Sequence, residues 1–195
     1  MAVHHWHFFD ETERRKWQNP EAILSANGLK TGMVFMDIGC GEGFFTLAAA
    51  GIVGSAGKVY GIDIDEQAIA EVRRKVGLIK ASNLELIVSP AEKALPCRAC
   101  ADMIFFGIVL HDFDDPAKVL KNAHQMLKPT GKLVNLDWKK KAGTPFGPPV
   151  SKRFDEATAT GLIESAGFKV LSTQDSGSFN YIVTARPDVP PVLSE

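Results

Sequence analysis

A chain of 195 residues, 45% hydrophobic and 23% charged, has the makeup of one soluble globular domain with a substantial core. Its formal net charge of −1 argues against a dedicated nucleic-acid binder. No apolar run reaches the roughly 18–20 residues that span a bilayer, no basic-then-apolar leader opens the chain, and three cysteines build no disulfide framework, so a cytoplasmic location is expected.

Residues 1–32 read as an aromatic and charged lead-in, with His4, His5 and His7 beside Trp6, Phe8 and Phe9. Asn19-Pro20-Glu21 predicts a helix start, with Asn19 as the cap and Pro20 in the first helical position, and Asn27-Gly28 ends that helix. Met33–Asp37 is almost continuously apolar, as buried parallel strands are. A helix is predicted from Phe44 to Val53, a strand over Lys58–Asp63, and a helix over Glu66–Ala81 with Ala68, Ile69, Val72, Val76 and Ile79 at helical spacing. Strands over Leu84–Val88 and Ala101–Phe106 precede a helix over Pro116–Leu127. Pro129-Thr130-Gly131 then turns the chain into a strand over Lys132–Asp137. Residues 139–150 read as a loop, Phe154–Ala166 as a helix, and Lys169–Gln174 and Phe179–Ala185 as two strands joined directly. The expected fold is α/β, a seven-stranded, mostly parallel sheet with an antiparallel C-terminal edge and helices on both faces. The expected division is a lead-in or lid over 1–32, a ligand-binding domain over 33–186 and a tail over 187–195.

The densest chemistry lies in Asp37-Ile38-Gly39-Cys40-Gly41-Glu42-Gly43. An apolar strand ends in an acid, and a glycine turn follows it into a helix. Twenty residues past Gly43, at the end of the next strand, stands Asp63. An acid there can accept both hydrogen bonds of a vicinal ribose diol, so the unit suits a nucleoside-bearing ligand. A dinucleotide fingerprint needs G-x-G-x-x-G. Here the spacing is G-x-G-x-G, and Phe44 holds the place of the third dinucleotide glycine. That disfavours a nicotinamide oxidoreductase.

With Gly61-Ile62-Asp63, Ala91-Glu92, the His111 segment, Leu127-Lys128-Pro129-Thr130-Gly131-Lys132 and Glu164-Ser165-Ala166-Gly167-Phe168, this order of motifs resembles a class I S-adenosylmethionine (SAM)-dependent methyltransferase from about Gly32 through Arg186. Within that Rossmann-like superfamily it is most similar to the small-molecule group that includes the ubiquinone/menaquinone-biosynthesis methyltransferases. The resemblance implies SAM as cofactor and places Asp37, Gly39, Cys40, Gly41 and Gly43 around its amino-acid part. It implies Asp63 on the ribose, Ile64 against adenine, and the Phe106 or Gly107 backbone near the methionyl group. Ala91 and Glu92 would hold the adenine edge. The family commonly carries an Asp before Ala-Glu, and here that residue is Pro90, which has neither an N–H nor an acceptor side chain.

His111 follows the fourth strand at the carboxyl edge, where open α/β sheets bind ligands. It is the candidate base, taking a proton from the acceptor, or else a loop and capping residue. Asp112, Asp114 and Asp115 read as caps for the Pro116 helix. Asp137 either orients the acceptor or simply ends a strand, and Trp138 either walls the pocket or packs. Lys139, Lys140 and Lys141 read as a solvated face, with neutralisation of an anionic acceptor as the alternative. Arg14, Arg15, Trp17 and the helix after Pro20 are candidates for a cofactor lid. The three N-terminal histidines lack partners at metal-ligand spacing, so no metal is expected. Cys97 and Cys100 form a C-x-x-C without a second pair and read as buried or incidental.

These observations predict an enzyme that transfers methyl from SAM to a small-molecule acceptor by in-line displacement. The alternatives are a SAM-binding module that is inactive or needs a partner subunit, and an RNA or protein methyltransferase. The latter lacks an added recognition domain and shows Phe106-Gly107-Ile108-Val109 where amino-directed nucleic-acid methylases carry Asn-Pro-Pro or Asp-Pro-Pro.

Overall fold

Four helices begin on a side chain that replaces a missing backbone partner. In the computed structural model, which describes residues 11–79, 81–144 and 147–188, Asn19 Oδ1 accepts from Ala22 N at 2.9 Å. Asp65 accepts from Gln67 N at 2.8 Å and from Ala68 N at 3.2 Å. Asp115 accepts from Lys118 N at 2.9 Å, and Asp155 from Thr158 N at 2.8 Å. Such caps contribute about 1 kcal/mol each. They open α2 (Pro20–Ala26), α4 (Glu66–Ile79), α5 (Pro116–Met126) and α6 (Glu156–Ser165). By contrast α3 (Phe44–Val53) starts on Gly43 with no side-chain cap. Its first N–H groups are therefore the kind that a ligand can satisfy.

The other elements are α1 (Glu11–Trp17), β1 (Val34–Ile38), β2 (Lys58–Asp63), β3 (Leu84–Val88), β4 (Ala101–Gly107), β5 (Leu127–Trp138), β6 (Phe168–Ser176) and β7 (Asn180–Pro187). The sheet order is β3-β2-β1-β4-β5-β7-β6. Strands β1 to β5 pair in parallel, and β7 runs antiparallel between β5 and β6. Chain order reverses between β1 and β4, and the carboxyl ends there open the crevice in which this architecture binds ligands.

Each sheet face carries its own core. Phe35, Val59, Phe105, Val134 and Leu136 meet α2 and α3 on one side. Met36, Ile62, Ile104, Phe106, Leu133, Tyr181 and Val183 meet α5 and α6 on the other. The alternation follows the two-residue period of a strand.

Two elements differ from expectation. The lead-in contains a helix, α1, held by i,i+3 and i,i+4 ion pairs such as Arg15–Glu11 at 3.3 Å. And β5 begins at Leu127, with Lys128 to Gly131 forming an irregularity in its pairing with β4 rather than a turn before it. A Cβ at Gly131 would stand 2.9 Å from the Ala101 carbonyl oxygen, so only glycine lets the two strands close there. The cluster of His4, His5 and His7, and the tail beyond Asp188, lie outside the described residues.

Candidate active site

The turn after β1 is built on left-handed backbone. Gly39, Gly41 and Gly43 have φ of 75°, 51° and 86°, values that favour glycine. Gly39 N and Cys40 N both donate to Ile62 O, at 2.8 and 3.0 Å, which locks the turn onto β2. A Cβ on Gly39 would stand 2.5 Å from Val109 Cγ2, and one on Gly43 3.0 Å from Val72 Cγ2, whereas one on Gly41 would meet nothing within 4 Å. Gly41 thus borders open space.

Asp63 braces the same loop. Its Oδ2 accepts from Gly41 N at 2.7 Å and its Oδ1 from Asp65 N at 2.9 Å. Each carboxylate oxygen has a second lone pair, so the group keeps capacity for a diol. Ile64 beside it is 56% exposed, a large apolar surface at the strand end. Asp37 is buried on the opposite side of the loop and accepts from Thr46 Oγ1 at 2.6 Å. Burial pushes its carboxyl up to about 7, against the pull of the Thr46 hydrogen bond, while the Asp63 charge raises it further and the Arg14 charge lowers it. Burial also holds the Cys40 thiol well above its ordinary value, so it is a packing group and not a thiolate.

Ala91 and Glu92 sit on a turn that α5 clamps. Asn122 Nδ2 donates to Ala91 O at 3.3 Å and to Glu92 O at 2.8 Å. Asp115 N donates to Glu92 Oε1 at 3.4 Å. Asn122 had no motif to mark it in the sequence, only its place as a polar residue on an otherwise apolar helix face. Gly107 packs where a Cβ would lie 2.9 Å from Phe45 Cδ2, and the buried Phe106 ring meets Phe113 edge-on at 5.9 Å.

Past β4 the chain bends at Ile108, a β-branched residue with φ of 66°. Its N–H donates to Leu136 O at 2.7 Å. This strained bend costs about 1–3 kcal/mol and swings the 3₁₀ turn Leu110–Asp112 across the end of β5. There His111 Nδ1 lies 2.7 Å from Asp137 Oδ1, and His111 Nε2 lies 3.5 Å from Asp112 Oδ2. The His111 side chain is 1% exposed and that of Asp137 is fully buried. Despite its length the contact is poorly aligned as a hydrogen bond from Nδ1. Asp137 Oδ1 also accepts from Trp138 N at 2.8 Å. Burial by itself would lower the His111 pKa, but the Asp137 interaction and the Asp137 and Asp112 charges outweigh it, and the net shift is upward.

Around this pair stand Tyr181, whose hydroxyl donates to Phe154 O at 3.2 Å, and Trp138. Arg153 lies over the Trp138 ring and donates to Pro148 O at 2.8 Å and to Lys139 O at 3.1 Å. Lys139 pairs with Asp175 at 2.9 Å on the β6 side. The other wall comes from α1. The Arg14 guanidinium lies 4.0 Å from the Phe44 ring centroid and donates through Nε to Gln18 Oε1 at 2.7 Å. Burial lowers its pKa to about 10, with Asp37 and Glu11 opposing. Trp17 meets Trp138 at 5.7 Å and Phe179 at 6.3 Å.

The reading of Cys97 and Cys100 as incidental is corrected: the two are joined as a disulfide. Ala99 has φ of 47°, and the hydrogen bonds Ala99 N to Gln125 O and Cys100 N to Met126 O, both at 2.9 Å, tie the loop to the C-terminal end of α5. Among the described residues, no group of three or more His, Cys, Asp or Glu could hold a metal ion, and no helix is long and apolar enough to cross a membrane.

Residues 29–169 match the family model described as a methyltransferase domain. A demethylmenaquinone methyltransferase of Bacillus mycoides (strain KBAB4) is 34% identical over 109 residues, 56% of this chain and 46% of that protein. One from Shouchella clausii (strain KSM-K16) is 34% identical over 126 residues, 64% of this chain and 52% of that protein. The chain thus spans about half the length of these curated relatives. A SAM-dependent methyltransferase from Aquifex aeolicus superposes with a TM-score of 0.84 at 30% identity, covering 91% of this chain and 98% of that one. The [4+2]-cyclase SpnF shares the fold alone, with a TM-score of 0.76 at 17% identity over 88% of this chain and 80% of that one. With a G-x-G-x-G loop braced by the acid that ends β2, and with these matches along most of its length, the chain belongs to the methyltransferase domain family, in the class I SAM-dependent group that includes the demethylmenaquinone methyltransferases.

Proposed function

We propose that the protein transfers a methyl group from SAM to a small-molecule acceptor, with His111 as the base. The observation that carries this reading is the His111–Asp137 contact of 2.7 Å at the carboxyl edge, beside the glycine loop. When bound, SAM supplies an electrophilic methyl group on a sulfonium. Asp63 takes the ribose diol, Ile64 covers the adenine face, and Gly41 leaves room for the ligand to approach the backbone. The Ala91–Glu92 turn holds the adenine edge, and the strand end at Phe106 and Gly107 lies along the methionyl part. His111 Nε2 would take the acceptor's proton as methyl transfer proceeds, so that the sulfonium charge of SAM is balanced by the proton held on the ring. Asp137 keeps the Nδ1 side of the ring protonated and favours the imidazolium that forms. Residues 11–27 serve as a lid, with Arg14 over Phe44 and Trp17 against Trp138 excluding water.

The acceptor is read as a small molecule from the names of the relatives and from the near-neutral charge of the chain. A second reading, a SAM-binding subunit that acts only with a partner, is favoured by the 1% exposure of the proposed base. Calorimetric titration with SAM, S-adenosylhomocysteine and NAD tests the cofactor assignment. Transfer of labelled methyl to a panel of hydroxyl, amine and thiol acceptors tests the activity. Binding of the first two ligands without transfer to any acceptor would favour the subunit reading.

A further inference from the structure

The buried side-chain nitrogens and oxygens that make no hydrogen bond among the described residues fall on four residues: Gln18, His111, Asn135 and Asp137, with His111 Nδ1 still in its 2.7 Å contact with Asp137. Folded proteins pair the great majority of such atoms, so a cluster of unpaired ones marks a place completed by something other than the protein. Gln18 belongs to the α1 side, where its Oε1 accepts from Arg14 Nε at 2.7 Å. Within this group Asn135 is distinctive. It is fully buried, and both its Nδ2 and its Oδ1 are unpaired.

Its position ties it to the catalytic pair. Asn135 and Asp137 lie two residues apart on β5 and so share a face, about 7 Å from one another along the strand. Across the sheet Asn135 stands in register with Phe106 on β4 and with Val183 on β7. Both are apolar core residues of that face. Packing alone would place a leucine here, as it does at Leu133, two residues earlier on the same face. An amide in such a place offers the two N–H donors of Nδ2 and the acceptor Oδ1 to a ligand.

We infer that Asn135 selects the methyl acceptor by hydrogen bonding an acceptor oxygen other than the reacting atom; this rests on the methyl-transfer reading above. The acceptor class that fits is a neutral compound carrying a reacting group and, a few ångströms away, a hydroxyl or carbonyl. A hydroxyl can donate to Oδ1 or accept from Nδ2, and a carbonyl can only accept from Nδ2. Asp137 Oδ2, also unpaired, and Asp112, 3.5 Å from the ring, disfavour an anionic acceptor.

Phenol and catechol, which differ by one hydroxyl, are the probes. The experiment follows the side-chain amide of Asn135 by NMR in protein loaded with S-adenosylhomocysteine, with the resonance assigned by its loss in Asn135→Leu. Catechol is expected to shift that resonance, and phenol to shift it less than half as much. Asn135→Leu should keep SAM affinity within about twofold, melt at or above the wild-type temperature, and bind catechol at least fivefold more weakly. A melting temperature several degrees below wild type would mean that a structural water or a protein group satisfies the amide, and would overturn the inference. So would an amide signal indifferent to catechol, or one that answers equally to both probes. Loss of SAM binding in the wild-type protein would instead strike the methyl-transfer reading on which the inference stands.

Discussion

Val109 fills the space that a side chain at Gly39 would need: a Cβ there would lie 2.5 Å from Val109 Cγ2 and 2.9 Å from Cγ1. The residue after the strained Ile108 therefore packs on the first glycine of the loop, and the ends of β1 and β4 are shaped against each other. Gly39→Ala should destabilise the fold by about 2–4 kcal/mol, from overpacking together with the left-handed backbone. Thermal melting of Gly39→Ala, Val109→Ala and the double variant checks this. Val109→Ala should recover the overpacking part and leave the part due to φ. Additive losses would mean that the contact plays no role.

Asp37 predicts a pH dependence of the ligand-free protein. Its carboxyl stands at about 7 in the folded chain against an ordinary value of 3.8, with burial as the first cause. A raised carboxyl pKa stabilises the fold fully below about 4, and that contribution is lost as pH rises through about 7. About 4 kcal/mol is the upper scale of the loss, at 1.36 kcal/mol per unit. Asp37→Asn should flatten this part of the stability–pH curve and raise the melting temperature at pH 8. Cationic SAM should favour the ionised acid, so its binding near pH 7 should release protons, seen as a buffer-dependent heat in calorimetry.

Burial opposes protonation of His111, but the Asp137 and Asp112 carboxylates outweigh it and raise its pKa in the folded protein. A base must be deprotonated, so kcat/KM with a proton-losing acceptor should rise with pH through a value above 6.5. In Asp137→Asn that rise should move to lower pH and the plateau should fall by about 10²–10⁴-fold, the range of a general-base contribution. His111→Ala should lose the pH-dependent arm while SAM affinity is retained. A profile that does not move in Asp137→Asn would remove the pair from the mechanism.

Asp63 both braces Gly41 and faces the proposed ribose site, through Gly41 N at 2.7 Å. Alanine there would confound loop support with ligand contact. Asp63→Asn is the sharper variant. It should weaken SAM by about tenfold to a hundredfold, as expected for losing charge-assisted hydrogen bonds worth about 1.5–3 kcal/mol, with melting changed far less than in Asp63→Ala. Unaltered SAM affinity would sink the ribose assignment.

Strands with continuous apolar runs and helices with a proline or an acid at the start were legible in the sequence, because each is encoded within a few residues. Pro20 and Pro116 mark two helix starts, and Lys58–Asp63 stands where the pattern placed it. The helix Glu11–Trp17 was not legible. It has little apolar periodicity, and it is held by ion pairs and by contacts of Arg14 and Trp17 with residues far along the chain. The glycine loop and Asp63 lie together as the spacing implied. The pairing of His111 with Asp137 bridges 26 positions and depends on the bend at Ile108, a residue whose side chain gives no hint of positive φ. Asn122 and Asn135 were missed for the same reason: a buried amide acquires its meaning from neighbours on other strands and helices.

The placement of β7 bears on how the protein is made. This strand follows β6 in the chain yet lies between β6 and β5, with Tyr181 in register with Asp137. During synthesis β5 emerges with an open edge, and it keeps that edge until Asn180–Pro187 has left the ribosome and threaded beside it. The nascent chain therefore has a glycine loop before it has a finished wall behind Asp137. The strand that flanks Asp137 is thus the last part of the sheet to be laid down.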